Sequence, residues 1–412
     1  MRAESPLVNR LLICRDCDTV YRSIALKTGE VAVCRRCGSI LARHFGATAQ
    51  GGLALVIAAI LLFVIANLTP VLSIEVAGVQ TKANIWFAVL SLEQGWISIA
   101  ALGLAVTTFL IPAVQLALLL WVLVFASAGR AVPLFGPLMV LLHRTRPWSM
   151  TEIFLLGALV AIVKLANWVP VVAGAGIWAM AALTVILAIL GRCDPASWWT
   201  VASRTEPWTV LKRAHELGLI LCRTCGHAIS VAALGANQRC PRCQTRMEPR
   251  AALSVEMTLA WLIAGIILYL PANLLPVMHT TGLQGEADST ILGGILEFWR
   301  SGDWDIALLI FIASVAVPFT KFMAIGLLVF TVRKQSRWDR RQRTVLYRVV
   351  ELIGYWSMLD VIVVALTSAL MQFQVLGTAE PRAGIAFFCA VVIVTMLAAQ
   401  SFDPRLIWDN RP

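Results

Sequence analysis

Long runs of apolar residues, separated by short polar segments, follow one another along the whole chain. A run of about 20 apolar residues is long enough to cross the hydrocarbon core of a bilayer as an α-helix. Eight segments approach this length, at about 51–72, 97–127, 150–169, 173–190, 255–278, 305–330, 354–374 and 383–400. The pattern predicts an all-α polytopic membrane protein rather than a soluble domain.

The arrangement of polar segments and spans occurs twice, with an offset near 208 residues. "ANLTPV" at 66–71 matches "ANLLPV" at 272–277, and Pro112 aligns with Pro318. Each copy is a cysteine-rich segment followed by four spans, which predicts four domains, at 1–48, 49–200, 201–250 and 251–412. Because four spans return the chain to the same side, the two copies are predicted to be parallel repeats.

Charge is unevenly distributed among the loops of this chain, which is 59% hydrophobic and 14% charged with a net charge of +11. Segment 331–348 contains seven arginines and lysines and one acid, whereas segment 279–304 contains four acids and one arginine. The positive-inside rule therefore predicts that the basic loops, the cysteine-rich segments and both termini are cytoplasmic. Topology and contact with anionic lipids explain the arginines. Nucleic-acid binding is the less favoured alternative, and no nucleic-acid partner is predicted.

Eight of the ten cysteines form two C-x-x-C…C-x-x-C sets. The ligands are Cys14, Cys17, Cys34 and Cys37 in the first set and Cys222, Cys225, Cys240 and Cys243 in the second. The spacing is typical of zinc ribbons, in which four thiolates enclose a tetrahedral ion, so we predict two structural zinc ions. Redox dithiols and iron are the alternatives. Redox dithiols are disfavoured because all four cysteines occur together in both copies. Iron is disfavoured because it is less common than zinc in ribbons of this kind.

The sixth predicted span contains a lysine in its interior. Lys321 lies twelve residues before Arg333, and Asp360 lies twelve residues after Arg348, so both are about 18 Å from the cytoplasmic boundary. Because spans six and seven form a hairpin, the sequence predicts that Lys321 and Asp360 pair.

Other polar residues extend this line. Ser314 lies two turns before Lys321 on the same helix face, and Thr395 lies about 15 Å deep in the last span. Pro318 removes a backbone hydrogen bond near Lys321 and is predicted to open the helix there.

The pair has a structural and a functional interpretation. It could fix the register of two helices, but ionisable residues inside a bilayer cost about 2.5–3.5 kcal/mol each and commonly mark transport pathways or proton relays. We therefore favour a functional role for the Lys321–Asp360 pair over a purely structural one. Glu152 and Lys164 of the first half are weaker candidates, because Glu152 lies near the cytoplasmic boundary and Lys164 can snorkel to the outer face. Gln115 stands where the second half has Lys321, so the active chemistry is expected in the second half.

Two ribbons, each followed by four spans with "WSM" opening the third and "DP" after the fourth, resemble the family of paraquat-inducible protein A and LetA, bacterial inner-membrane proteins. The resemblance covers essentially the whole chain. It implies tetraspanin-like bundles and a separate partner of stacked MCE domains, which forms a tunnel for lipids across the periplasm. It also implies a proton-carrying network in the C-terminal unit, which by motif falls on Ser314, Lys321, Asp360 and Thr395.

Two other functions are compatible with the residues. One is an autonomous secondary transporter of a small solute or drug, which would keep the Lys321–Asp360 pair but need no tunnel partner. The other is a non-transporting membrane scaffold whose ribbons recruit cytoplasmic proteins or nucleic acid. An enzyme is not expected, because the sequence contains no phosphate-binding loop, HExxH motif or evident nucleophile–base set.

Overall fold

The structure is a computed structural model of the 412-residue chain. It describes all residues except 1–10, 23–26, 28, 44–48, 77–78, 84–97, 131, 150, 167–170, 193–209, 215–216, 232–237, 242, 249, 252, 283–284, 303, 337, 355–361, 364–377 and 410–412.

The elements of the two repeats follow the same order along the chain. In the first repeat they are β1 (Leu11–Ile13), β2 (Thr19–Arg22), β3 (Val31–Val33), β4 (Ile40–Arg43), α1 (Ala49–Leu68), β5 (Leu72–Val76), β6 (Val79–Ala83), α2 (Ser98–Ala105), α3 (Ile111–Ser127), α4 (Phe135–Thr145), α5 (Thr151–Ala166), β7 (Val171–Ala173) and α6 (Ala175–Arg192). In the second repeat they are β8 (Val210–Arg213), β9 (Leu219–Leu221), β10 (Ala228–Ser230), α7 (Ser254–Leu274), β11 (Met278–Gly282), β12 (Gly285–Ser289), α8 (Ile291–Ser301), α9 (Trp304–Ile310), α10 (Val317–Arg333), α11 (Arg340–Gly354), β13 (Thr378–Pro381) and α12 (Ala383–Ser401).

The helices confirm the predicted architecture of two ribbons and two helical bundles. Among the described residues, five helical stretches are long and apolar enough to cross a membrane: Gln50–Leu68, Leu102–Ser127, Ser254–Leu274, Phe311–Arg333 and Ala383–Ser401. The third and fourth predicted spans correspond to the shorter helices α5 and α6. The seventh, at 354–374, falls almost entirely outside the described residues.

Spans two and six each contain a segment of π-helix directly before the aligned prolines. Val106–Leu110 links α2 to α3, and Phe311–Ala316 links α9 to α10. Pro112 and Pro318 occupy the first turn of the helix that follows, where the missing N–H disturbs the backbone bonding of the preceding turn. The predicted opening at Pro318 is therefore a local widening of a continuous helix, of a kind common at functional sites.

The "ANLxPV" motif ends the first span of each repeat. In the second repeat α7 ends at Leu274, where the Asn273 side-chain amide donates to the Tyr269 carbonyl at 2.9 Å. The carbonyl of Pro276 then accepts a hydrogen bond from the Gly384 amide at 3.0 Å, at the start of α12. The motif thus ties the end of one span to the beginning of another.

A three-stranded antiparallel sheet follows this motif in each unit and was not predicted from the sequence. The strand order is β6-β5-β7 in the first unit and β12-β11-β13 in the second. Each sheet joins the loop after the first span to the segment before the last span. Because α7 begins beside the second ribbon and ends at β11, the sheets lie at the ends of the bundles opposite the ribbons.

The two bundles contact each other within the membrane-spanning region. α2 of the first unit packs on α12 of the second, and a Cβ added at Gly103 would lie 3.3 Å from the Cys389 sulfur. Cys389 is fully buried there and acts as a small packing residue. Cys193 lies outside the described residues.

Gly384 provides a test of the contact between the "ANLxPV" motif and α12. A Cβ at this position would lie 2.7 Å from the Pro276 carbonyl oxygen and 2.8 Å from that of Leu275, closer than backbone atoms tolerate. We expect Gly384→Ala to destabilise the protein by about 1–3 kcal/mol, as for other overpacking substitutions. The melting temperature of purified protein in detergent measures this. Gly326→Ala is the control, because its nearest contact would be a leucine methyl at 3.6 Å; equal melting temperatures would contradict the close approach.

Candidate metal centres and the polar interior of the second unit

The four cysteines of each set converge on one point. All four Sγ atoms of each set lie within 4.8 Å of one another and are buried. The Sγ–Sγ distances are 3.5 Å for Cys14–Cys37, 3.5 Å for Cys17–Cys34, 3.4 Å for Cys222–Cys243 and 3.6 Å for Cys225–Cys240. None of these eight cysteines forms a disulfide.

The four C-x-x-C turns share one backbone geometry. In each turn the first cysteine N–H donates to the carbonyl five residues later, and its carbonyl accepts from the N–H four residues later. The residue after the second cysteine has positive φ in all four cases: Asp18 (62°), Gly38 (77°), Gly226 (70°) and Gln244 (60°). The sequence predicts this at the two glycines, where positive φ costs little; Asp18 and Gln244 adopt it without that advantage.

Hydroxyl groups surround the sulfurs. In the first ribbon Ser39 Oγ lies 2.9 Å from the sulfurs of both Cys14 and Cys37, and Tyr21 Oη lies 3.2 Å from that of Cys34. In the second ribbon Thr245 Oγ1 lies 3.3 Å from the Cys243 sulfur. The hydroxyls of Ser39 and Tyr21 can donate to thiolates at these distances and reduce their negative charge, as is common around metal ligands.

The cysteine residues fit a tetrahedral zinc ion. A zinc–sulfur bond of about 2.3 Å in a tetrahedron separates the sulfurs by about 3.8 Å, close to the distances in both sets. Four thiolates occupy all four positions and leave none for substrate, so such an ion would hold the ribbon together rather than perform catalysis. The identity of the metal remains a prediction.

The two ribbons form one body. β8, which precedes the second ribbon in the chain, pairs with β2 of the first, giving a sheet of order β1-β2-β8. Ile13 and Val20 of the first ribbon share an apolar cluster with Leu219, Leu221 and Ala228 of the second. The repeats are therefore joined through their ribbons as well as through their bundles.

A buried carboxylate fastens this body to the second bundle. Asp403, just after α12, is fully buried and accepts hydrogen bonds from Arg405 Nε at 3.1 Å and Nη2 at 3.0 Å. It also forms an ion pair with Arg223, which directly follows Cys222, and accepts from the Ala251 amide at 3.3 Å. The Asp403 N–H donates to Ser254 Oγ at the start of α7. One side chain thus links the second ribbon to the first and last helices of the second bundle.

The charge around Asp403 determines its ionisation. Burial alone would raise its pKa, but the hydrogen bonds and positive charges of Arg405 and Arg223 lower the pKa by more, so the net pKa is below the ordinary value. The carboxylate is therefore ionised at neutral pH. The repeat of "DP" at the end of each unit was the sequence signal for this residue, although its role was not predicted.

The first ribbon also docks on the second unit. Arg348 of α11 donates to Asp16 Oδ2 at 2.8 Å and to the Cys37 carbonyl at 3.0 Å. The Arg36 guanidinium lies 4.5 Å from the ring centroid of Trp408. In the other direction, Val140 of α4 in the first unit packs on the core of the second ribbon. The ribbons consequently connect both bundles at the same end.

Lys321 lies in the interior of the second bundle with 2% of its surface exposed. Its Nζ donates to the Gly354 carbonyl at 3.0 Å. Gly354 ends the described part of α11 at the first residue of the seventh predicted span, so Lys321 contacts the segment that leads into that span. Asp360 lies outside the described residues, and its pairing with Lys321 stays a prediction.

The structure buries the other two predicted network residues of the second unit. Ser314 lies within the π-helical segment and is 2% exposed. Thr395 is buried in α12, which packs on α10, and its hydroxyl donates to the Val392 carbonyl at 2.9 Å. All three described members of the network are thus in the bundle interior, but their participation in one network stays a prediction.

The first unit has a different interior. Gln115 is buried at the position that matches Lys321, and Thr108 is buried at the position that matches Ser314. Glu152 is exposed in the first turn of α5. Lys164 lies on α5, and its side chain is outside the description. Among the described residues of this unit, no ionisable side chain has a place equivalent to that of Lys321.

Two parallel repeats, each with a four-cysteine ribbon and a bundle of apolar helices, define a duplicated multi-pass membrane protein. Residues 49–203 and 255–411 match the sequence profile of the paraquat-inducible protein A family. The chain belongs to this family, as the sequence resemblance predicts.

Three relatives align over nearly their full length. The chain is 34% identical over 411 residues to "Intermembrane transport protein PqiA" of Escherichia coli K12, covering 97% of this chain and 96% of the relative. It is 30% identical over 402 residues to "Lipophilic envelope-spanning tunnel protein A" of the same organism, covering 96% and 90%. It is 28% identical over 416 residues to "Probable intermembrane transport protein" of Haemophilus influenzae, covering 97% and 96%. No solved structure matches the chain.

Metal analysis of the purified protein tests the ribbons. We expect two zinc ions per chain, because each set of four thiolates forms one closed site. We also expect Cys222→Ser to reduce the folded yield more than Cys193→Ser, since structural zinc contributes directly to folding free energy. Well under two zinc ions per chain, or iron in their place, would show that this assignment is wrong.

Asp403→Asn tests the attachment of the ribbons to the second bundle. Because this substitution leaves Arg405 and Arg223 without their anion, we expect it to lower stability by about 3–5 kcal/mol at neutral pH, measured by thermal unfolding. The folded pKa is lowered, so the stabilisation is present above the unfolded pKa of about 4 and is lost as the pH falls through the folded value. Glu248→Gln is the control, since its ion-pair partner Arg246 is 74% exposed and water screens the pair. Equal melting temperatures for the two variants would contradict the role given to Asp403.

Proposed function

We propose that this chain is the inner-membrane component of an MCE-type lipid transport system, which loads or extracts phospholipids for a tunnel across the periplasm. A separate MCE-domain protein forms the tunnel. The zinc ribbons and both termini face the cytoplasm, as the arginine distribution indicates. The near full-length similarity to proteins named for intermembrane transport and for an envelope-spanning tunnel supports this proposal.

Lys321 is the observation on which the mechanism rests. An amine that is 2% exposed within a membrane-spanning helix is costly to keep, and the matching residue of the first unit is neutral. Its hydrogen bond to Gly354 brings it to the start of the span that contains Asp360. A residue that served only to fill space at this position would not need an ionisable side chain.

In the proposed mechanism, the pair changes protonation during lipid transfer. Burial favours the neutral forms of lysine and aspartate, while mutual attraction favours the charged forms, so a pair balanced between these effects can take up and release a proton. Ser314 and Thr395 are the proposed relay partners, because hydroxyl groups both donate and accept protons. The π-helical segment around Ser314 provides a backbone that can change conformation at that level.

The ribbons have a structural part in this proposal. They join the two bundles at the cytoplasmic end through the shared sheet, Arg348 and Asp403. A closed four-thiolate site holds each ribbon in shape but does not take part in lipid chemistry. Glu152 and Lys164 remain weaker candidates for a role in the first unit.

Two alternatives make different predictions. An autonomous transporter of a small solute or drug would purify and function without an MCE-domain partner. In the proposed system, an MCE-domain protein should co-purify with this chain. A scaffold that recruits cytoplasmic proteins would keep its function when Lys321 is neutralised. The near full-length similarity to proteins named for intermembrane transport favours the tunnel system over both.

A double substitution separates a proton relay from a structural ion pair. We expect Lys321→Met with Asp360→Leu to fold normally, because replacing a buried pair with apolar residues is often neutral for stability. We also expect it to fail in complementing a deletion for envelope integrity at normal expression level, as Lys321→Ala alone should. Thr320→Ala is the matched control, since that hydroxyl bonds only to its own helix at Ala316 and is exposed. Full complementation by the double variant would mean that the pair only fixes helix register.

A further inference from the structure

Helix α8, between the sheet and span six of the second unit, has an apolar face that the protein covers only in part. Its apolar side chains occupy an arc of about 160° around the axis, at 100° per residue. One side of the arc, with Ile291, Ile295 and Phe298, is half-buried against the protein. The other side, with Leu292, Leu296 and Trp299, is 44%, 55% and 61% exposed. The burial therefore divides one apolar face into a docked stripe and an uncovered stripe.

This helix is well defined at both ends. The Thr290 hydroxyl accepts a hydrogen bond from the Gly293 amide at 3.0 Å as an N-cap. Gly302, at φ 91°, ends the helix in the left-handed conformation and turns the chain into α9. The exposed stripe is therefore a fixed surface of a capped helix and not the result of a frayed end.

The uncovered stripe continues into the membrane-facing surface of span six. Beyond Gly302, the exposed side chains of Trp304, Leu308, Phe311 and Ile312 extend it along the span. Glu297 and Arg300 lie outside the apolar arc and are exposed. Two tryptophans at the point where the chain enters a span are typical of the boundary between lipid headgroups and hydrocarbon.

We propose that α8 lies in the plane of the membrane and inserts Leu292, Leu296 and Trp299 into the leaflet opposite the ribbons. The occupant of the stripe is phospholipid, because the stripe is continuous with the surface of a membrane span and has the polar–apolar division of interfacial helices. The helix gives the second unit a contact with lipids of that leaflet at the mouth of the bundle that contains Lys321. The proposal requires neither a proton relay nor a tunnel partner.

Site-specific photocrosslinking in cells tests this surface. A benzophenone amino acid replaces Leu296, Glu297 or Ile312 in the full-length chain, and adducts are identified by mass spectrometry after irradiation. We expect phospholipid adducts at 296 and at 312, which faces lipid within span six, in severalfold greater yield than at 297. Replacement of Leu292 repeats the comparison if the variant at 296 does not purify as a monodisperse protein.

The adducts also identify other occupants of the stripe. A protein adduct at 296, whether to a second copy of this chain or to another protein, would overturn the proposal. So would a lipid yield at 296 no higher than at 297. Neither result depends on transport activity. A result that overturns the membrane contact of α8 therefore does not test the proposed function.

Discussion

The carboxylate of Asp403 is the interaction on which the arrangement of the molecule depends most. It is fully buried, and it is stable there because Arg405, Arg223 and a backbone amide satisfy it. Asp403 therefore holds three parts of the chain close together: the second ribbon, the start of α7 and the end of α12. The first ribbon joins the same assembly through Arg250, which bonds Asp18 and Asp409. Two separate bundles are thus given a common base outside the hydrocarbon core.

The duplication produces a shared scaffold with unlike interiors. Both units have the π-helical segment, the "ANLxPV" turn and the three-stranded sheet at the far end. Only the second, among described residues, has an ionisable side chain at the central position, Lys321, where the first has Gln115. Because a buried charge costs far more than a buried amide, this difference is not expected from neutral drift. This asymmetry is the reason for which the proposed function places the transport chemistry in the second unit.

Local patterns allowed much of this to be predicted from the sequence. The apolar runs located the helices of seven of the eight predicted spans, and the cysteine spacing located both four-cysteine sites, because each depends on residues close together in the chain. The amphipathic helices α4, α8 and α11 were not predicted, and the seventh span lies outside the described residues. The third strand of each loop sheet, the pairing of β8 with β2, and the contacts of Arg348 with Asp16 and of Asp403 with Ala251 join residues about 100 to 330 positions apart, and no periodic pattern in the sequence indicates them. The strand Gly285–Ser289 was missed because its five polar and small residues have no alternating apolar pattern, whereas Leu72–Val76 does alternate and was missed although that signal is present. Lys321 was predicted to lie level with Asp360, which is outside the described residues, and the contact that the structure gives it is the hydrogen bond to the Gly354 carbonyl.

Proteoliposomes that contain this chain and the proposed MCE-domain partner test most directly whether lipid transfer is driven through Lys321. Transfer of a fluorescent phospholipid to acceptor vesicles is followed with and without an imposed pH gradient, for wild type and Lys321→Ala. We expect the gradient to accelerate transfer by wild type, a protonophore to abolish the acceleration, and Lys321→Ala to show no acceleration. Transfer by wild type at the same rate with and without the gradient would contradict this proposal.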